Sequence, residues 1–279
     1  MSNLDLIKQK VDDGAVKSYF DSANRGTAAT ISMKHNLPAS AASYRLRKEL
    51  RTISDWLTEV PDSGRVLDVG CGAGTWTEVF ANRYKTVVGI EQSSLMYKAA
   101  KERLAHLPHV KILEGDCRHD LPEGSFDIIF LGGLCMYLND QDVVALLSSL
   151  KGRLNKRGVI ILRESTVHLG EFITKGEYQA VYRSVNLYHQ LFNEAGSFHT
   201  EVRRNFGYTN LVTAEELVTQ RRRWLPFLPR DSTTLGSLTW WALRATAPIS
   251  FWALPRMLAK LGMQWPRLQN HFFRLQLKK

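Results

Sequence analysis

Three kinds of shortage narrow what this 279-residue chain can be. Cysteine is scarce: Cys71, Cys117 and Cys135 have no metal-ligand spacing, and each falls just beyond a strand-like run. Disulfides and a bound metal are therefore not expected, and a reducing compartment is favoured. Long apolar runs are missing as well. No stretch of about 18 uncharged apolar residues occurs, so no spanning helix is expected. The start, Met1-Ser-Asn-Leu-Asp-Leu-Ile-Lys, lacks the charged-then-apolar pattern of a signal peptide. Acidic residues are short in one region alone. From Arg203 to Lys279 there are 13 Lys and Arg against 3 acids, whereas residues 1–202 carry 24 of each. The net charge of +10 thus sits in the last quarter. It suggests an acidic partner: an anionic membrane, a phosphorylated substrate or nucleic acid. A hydrophobic content of 44% supplies a full core for one large α/β domain or two small ones.

The most informative stretch is Arg65-Val-Leu-Asp-Val-Gly-Cys-Gly-Ala-Gly-Thr-Trp-Thr-Glu-Val-Phe80. A short apolar strand runs into Gly70, Gly72 and Gly74, and a helical pattern follows from Thr75. Glycines let the backbone turn tightly and let a ligand approach the main chain, while the helix start offers unpaired N–H groups. Asp68, at the strand end, can accept from an ammonium group or from the loop. Such a loop alone could bind a dinucleotide or be an ordinary tight turn. The strands that follow add detail. Thr86–Ile90 ends in Glu91, 17 residues after Gly74, where a carboxylate can accept both ribose hydroxyls. Val110–Leu113 leads to Asp116, which can accept from an adenine amino group, and Phe126–Leu131 is a fourth strand.

These motifs together resemble class I S-adenosylmethionine-dependent methyltransferases over about residues 40–165. The resemblance implies that Gly70, Gly72 and Gly74 pass under the methionine part of the cofactor. It places Asp68 by the amino group, Glu91 on the ribose, and Asp116 with Cys117 beside the adenine. It also puts Cys71, Trp76, Gln92, Leu131 and Gly132 at the cofactor. The implied fold is α/β: a Rossmann-like, seven-stranded, mostly parallel sheet, with N-terminal helices and a basic helical insertion before the last strand.

Along the chain, residues 1–20 read as an amphipathic helix ending in Tyr19-Phe20, and residues 41–60 as a second. In many relatives such an N-terminal segment closes over the cofactor, and Tyr19 could reach the substrate. A helix is expected over 93–106, and another over 141–154 capped by Asn139 or Asp140. Gly132–Tyr137 follows a strand at its carboxyl end, so this stretch faces the reaction centre, and Tyr137 either touches ligand there or packs. Strand five, Gly158–Arg163, ends in Glu164-Ser-Thr-Val-His168. A helix is expected over 174–195, a sixth strand over 198–206 and a final strand from His271. The division expected is a helical lid over 1–60, a core over 61–207, the insertion over 208–267 and the last strand over 268–279.

Met136-Tyr-Leu-Asn-Asp-Gln-Asp-Val, Leu162-Arg-Glu-Ser-Thr-Val-His and Tyr182-Arg-x-x-x-x-Tyr188-x-x-x-Phe192 are similar to phosphoethanolamine N-methyltransferases over about residues 130–195. In that family tyrosines and an arginine hold the phosphate. The matching positions are Tyr178, Tyr182, Arg183 and Tyr188. A guanidinium offers phosphate a planar fork of donors; the alternative is an aromatic helix face buried in the core. The expected reaction is transfer of a methyl group to N or O of a small acceptor, phosphate-bearing or linked to a lipid or glycan. His168, Glu164, Tyr19 and Tyr137 are the candidates for orienting the acceptor or taking its proton. The insertion departs from the family. It holds five of the seven tryptophans, with Arg and Lys beside apolar stretches. It could lie in an anionic membrane surface, cap the substrate pocket, or bind nucleic acid, the least favoured of the three. The expected location is cytoplasmic, including the inner face of a membrane. A nucleic-acid-binding methyltransferase and a non-catalytic cofactor-binding subunit are the other function classes.

Overall fold

The computed structural model describes residues 10–22, 37–247, 249–262 and 265–278. The expected helix over 1–20 lies outside the described residues up to position 9. In chain order the elements are α1 (Asp13–Asp21), α2 (Ala39–Thr58), β1 (Arg65–Val69), α3 (Thr75–Ala81), β2 (Thr86–Glu91), α4 (Ser94–Arg103), β3 (Val110–Glu114) and β4 (Phe126–Leu131). A 3-10 turn (Cys135–Tyr137) leads to α5 (Asp140–Lys151), β5 (Leu154–Val167), β6 (Glu171–Thr174), β7 (Ala180–Ser184) and α6 (Val185–Ala195). Then come β8 (Phe198–Arg204), α7 (Phe206–Trp224), α8 (Thr233–Ala245), a π-turn (Ile249–Ala253), α9 (Leu254–Lys260) and β9 (Gln269–Leu277).

The chain divides into two compact units. The first takes the described parts of residues 1–26 with 60–202 and 273–279; the second takes those of 27–59 with 203–272. The segment expected as one helical lid is therefore divided: α1 belongs to the first unit and α2 to the second.

The first unit is a parallel α/β sheet. β1 pairs with β2 (Val66 opposite Val87) and with β4 (Val66 opposite Ile128), both in parallel. Val66, Leu67, Val69, Ile128, Ile129 and Phe130 are all fully buried, the continuous apolar pattern of strands covered on both faces. The strand order is β3-β2-β1-β4-β5-β7-β6, and β9 pairs with β5 and β8. The order reverses at β1, so a crevice opens beyond the carboxyl ends of β1 and its neighbours.

Nine strands are described where seven are expected. The difference is an antiparallel hairpin, β6 with β7, in which Phe172 faces Tyr182. It replaces the first half of the helix expected over 174–195. The physical reason is pairing. β5 runs for 14 residues, and its end offers Thr166 and Val167 as parallel partners to Arg183 and Ser184. The helix starts only at Val185, where the Ser184 side chain accepts from Leu187 N.

The second unit is helical. Leu37, Ala41, Leu211, Ala214, Val218, Trp240 and Leu243 form its buried cluster, drawn from α2, α7, α8 and Leu37, two residues before α2. Asn205 caps α7 and donates to Glu49 Oε1 at 3.0 Å and Asn270 Oδ1 at 2.7 Å. No described helix is long and apolar enough to cross a membrane.

Candidate cofactor and acceptor site

The glycine loop is latched to β2: Gly70 N and Cys71 N both donate to Ile90 O, at 2.9 and 3.1 Å. Gly70, Gly72 and Gly74 all have left-handed φ, at +67°, +54° and +78°. Their surroundings differ. A Cβ at Gly70 would lie 3.0 Å from Leu134 Cδ1, and one at Gly74 would lie 2.8 Å from Leu104 Cδ1. A Cβ at Gly72 would meet nothing within 4 Å. Packing demands two of the glycines, while the third borders open space against which a ligand can lie.

Two carboxylates sit at the ends of the central strands. Glu91 Oε2 accepts from Gly72 N and its Oε1 from Ser93 N, both at 2.9 Å. Asp68 is 1% exposed and accepts from Thr77 Oγ1 at 2.7 Å. Burial, with the Glu91 charge nearby, pushes the Asp68 carboxyl up to about 7 despite that bond. Ser93 also donates to Asp21 Oδ1 at 2.6 Å, tying the end of α1 to the start of α4.

A cleft of about 410 Å³ opens beyond β2 and β3, bordered by Gln92, Ser94, Gly115, Asp116 and Arg118 with Asp13 and Lys17 of α1. Asp116 does not face it bare. Arg118 donates to both its oxygens, at 2.6 Å from Nη2, and also pairs with Asp13. Burial alone would raise the Asp116 pKa, but Arg118 outweighs it and holds the carboxyl below its ordinary value. Arg118 and Asp13 were not legible as site residues, because their pairing joins positions 105 residues apart.

Several expected cofactor residues are largely buried. Trp76 is 6% exposed and packs on Phe130 with ring centroids 4.6 Å apart. Leu131 is fully buried, and Cys117 lies in the same apolar cluster. Cys71 is buried too, and burial pushes its thiol well up. Gly132 O accepts from Arg163 Nη2 at 2.8 Å.

The acceptor residues divide in the same way. Tyr137, Tyr178 and Tyr182 join through their hydroxyls, at 3.2 and 3.0 Å. Tyr19 meets the Tyr178 ring edge-on with centroids 5.0 Å apart, and Phe20 meets Tyr137 likewise. Burial first, then the neighbouring tyrosines, raises the Tyr178 pKa, so its hydroxyl stays protonated. Arg183, expected to hold phosphate, is turned inward. It is 1% exposed, and its Nε, Nη1 and Nη2 donate to Asp140 Oδ1, Cys135 O and Leu138 O, each at 2.7 Å. Tyr188 is fully buried and donates to Glu164 Oε2 at 3.3 Å. Glu164, also fully buried, accepts from Cys135 N at 3.1 Å, and burial pushes it up to about 7. Arg183, Tyr188 and Glu164 therefore hold the Cys135–Tyr137 turn in place, with their polar atoms engaged inside the fold. His168 is half-buried, one residue beyond the end of β5.

A parallel sheet with this strand order, carrying a glycine loop, Asp68 and Glu91 at its carboxyl edge, defines a class I methyltransferase fold. Residues 66–158 match the family model described as a methyltransferase domain, the domain of S-adenosylmethionine-dependent enzymes. The chain is 32% identical over 101 residues to phosphoethanolamine N-methyltransferase 1 of Caenorhabditis elegans, covering 36% of this chain and 21% of that protein. It is 31% identical over 108 residues to trans-aconitate 2-methyltransferase of Afipia carboxidovorans, covering 37% and 41%. The chain thus spans about a fifth to two fifths of the length of these curated relatives. The structure of phosphoethanolamine N-methyltransferase 2 of Haemonchus contortus, in complex with S-adenosyl-L-methionine, superposes with a TM-score of 0.61. It covers 95% of this chain and 60% of that one at 15% identity, a likeness of fold.

Proposed function

We propose that this chain is an S-adenosylmethionine-dependent methyltransferase that methylates N or O of a small acceptor, one bearing phosphate or carried on a lipid or glycan. The observation that carries the reading is the buried Asp68 carboxyl beside the open face of Gly72 and the Glu91 carboxylate. When bound, the cofactor supplies a methyl group on a sulfonium centre.

The residues present fit that group. Asp68 can take its ammonium, which adds to the counter-charge that Arg163 supplies from nearby. Each Glu91 oxygen keeps a lone pair for a ribose hydroxyl beyond its backbone bond. Gln92 and Gly115 border the cleft on the side suited to the base. The ties Asp21–Ser93 and Asp13–Arg118 hold α1 along that cleft, where it excludes water.

On the acceptor side, the Tyr178 hydroxyl donates rather than accepts a proton, so it orients an anionic or hydroxyl oxygen. Tyrosine ring faces also favour a cationic amine. Such a mixture suits an aminoalcohol phosphate, the class for which two of the relatives are named. With Glu164 sealed in the core, His168 is the candidate for receiving a proton from the acceptor.

Calorimetry tests the cofactor half. Asp68→Asn should weaken S-adenosylmethionine binding by about tenfold or more, since a charge-assisted hydrogen bond contributes ~1.5–3 kcal/mol. The parent should also show proton linkage. Its Asp68 titrates at about 7 when unliganded, and an ammonium partner favours the ionised form. Binding below that pH therefore releases a proton and strengthens as pH rises, and the variant loses both effects. Equal affinity and equal proton release in parent and variant would overturn the assignment. Transfer of labelled methyl into separate amine, phosphobase, lipid and glycan pools identifies the acceptor.

A further inference from the structure

The second unit has a surface that its own core does not explain. Among the described residues twelve large hydrophobic side chains are exposed, and ten of them lie between Trp224 and Leu261. In α8, Gly236, Trp240 and Leu243 are buried, while Leu238 and Trp241, on the opposite side, are 56% and 69% exposed. The one ionisable residue of α8 is Arg244. This helix is apolar on both faces, and only one is covered. None of the residues of α9 is buried. Leu254, Met257 and Leu261 recur at helical spacing and are exposed, with Arg256 and Lys260 off that stripe. A monomer leaves few contiguous apolar patches of this kind without a partner.

The charge says what the partner is. Between Leu217 and Phe272 the sequence has eight Lys and Arg and a single acid, Asp231, which pairs with Arg222 at 3.3 Å. Arg204 is held below its ordinary pKa by burial and by the nearby Arg256, with no acid to offset either. Two guanidiniums in one place without a carboxylate suit a phosphate. Arg256 also lies over the Trp252 ring at 4.4 Å, and Trp252 is 61% exposed.

We propose that residues 224–261 dock on a bilayer containing anionic phospholipid. The tryptophan, leucine and methionine side chains enter the interface, and Arg256 with its neighbours meets lipid phosphates. Aliphatic side chains have no stacking surface to offer a nucleic acid, and they dominate α9. The proposal stands apart from the methyltransferase reading and needs no turnover to test.

The test is co-sedimentation of the full chain with vesicles of phosphatidylcholine alone and of phosphatidylcholine with phosphatidylglycerol. The anionic vesicles should carry the protein down, and high salt should weaken that binding without abolishing it. Trp241→Ser combined with Met257→Ser should lower the salt-resistant part by about tenfold or more, as expected for an interfacial apolar face. Arg256→Gln should lower the salt-sensitive part by up to about fivefold. These side chains are exposed, so unchanged melting and S-adenosylmethionine binding show that the variants are folded. A folded parent that stays in the supernatant with both vesicles at low salt overturns the proposal. So does lipid-free self-association that Trp241→Ser disperses, which assigns the face to a second copy. Polynucleotide binding lost in Arg256→Gln, without vesicle binding, overturns it as well.

Discussion

In the first unit Leu169 is the one large hydrophobic side chain among the described residues to stand well out into solvent; the second has eleven. The polar residues divide the opposite way. In the first unit the buried Asp68 accepts from Thr77 of α3, Glu91 braces the glycine loop, and Glu164 and Arg183 brace the Cys135–Tyr137 turn. In the second, buried Glu49, Asn205 and Asn270 knit helices to a strand, and charge collects at the surface. One region is organised inward, around a crevice whose walls must not move. The other leaves apolar and basic side chains outward, the pattern of a surface that awaits a partner. Burial, and not residue type, separates a tyrosine or arginine that can meet a ligand from one that positions the loop that does.

The sharpest way to break this contrast is Arg183→Met. If Arg183 is a brace, its loss leaves Cys135 O with Leu138 N alone at 3.3 Å, takes the guanidinium from Leu138 O, and leaves Asp140 with Lys10 at 2.6 Å. Asp140 is 39% exposed and keeps Lys10, so the loss lies mainly in the two charge-assisted bonds to the carbonyls, about 1.5–3 kcal/mol each at most. Urea unfolding should show that loss, and Arg183→Lys should recover only part of it, lacking the planar fork. Unchanged stability with a raised acceptor KM would return Arg183 to the ligand.

Much of the cofactor edge was legible, because its determinants are local. Gly70, Gly72, Gly74 and Asp68 lie within one strand–turn–helix, and Glu91 ends the next strand. The acceptor edge was less so. The partners of Arg183 lie 43 to 48 residues away in sequence, and nothing local shows that its charge is used internally. The β6–β7 hairpin was missed for a related reason. Tyr178, Tyr182 and Tyr188 have spacings that fit a helix, while the strand character of 180–184 depends on the far end of β5. Trp76 could have been read as core, since Phe80 follows it at i+4 on the buried face of α3.

A smaller effect sharpens the acceptor side. Tyr178→Phe removes the middle hydroxyl of the Tyr137–Tyr178–Tyr182 chain and keeps the ring against Tyr19. A neutral hydrogen bond contributes about 0.5–1.5 kcal/mol. The acceptor KM should therefore rise about two- to tenfold, while the Kd for S-adenosylmethionine stays as in the parent. An unchanged acceptor KM would mean that the ring, and not the hydroxyl chain, shapes the site.

The smallest expected effect is that of Trp241 in the second unit, read against its neighbour. Trp240 and Trp241 are neighbours with opposite surroundings. Trp240 is 6% exposed, in the cluster with Leu211 and Val218, and lies 5.4 Å edge-on from the Tyr44 ring. Trp241 is 69% exposed. Helical phase explains the difference, because Gly236, Trp240 and Leu243 recur on one face and Trp241 is turned about 100° from Trp240. Truncating Trp240 to Ala should open a cavity and cost about 3–5 kcal/mol. The same change at Trp241 should alter stability by no more than about 0.5 kcal/mol, since a solvated side chain has little burial to lose. Chemical denaturation of the two variants side by side reads the contrast. If Trp241→Ala destabilises the lipid-free protein as Trp240→Ala does, the outer face of α8 is already covered, and the outward organisation of this unit falls with it.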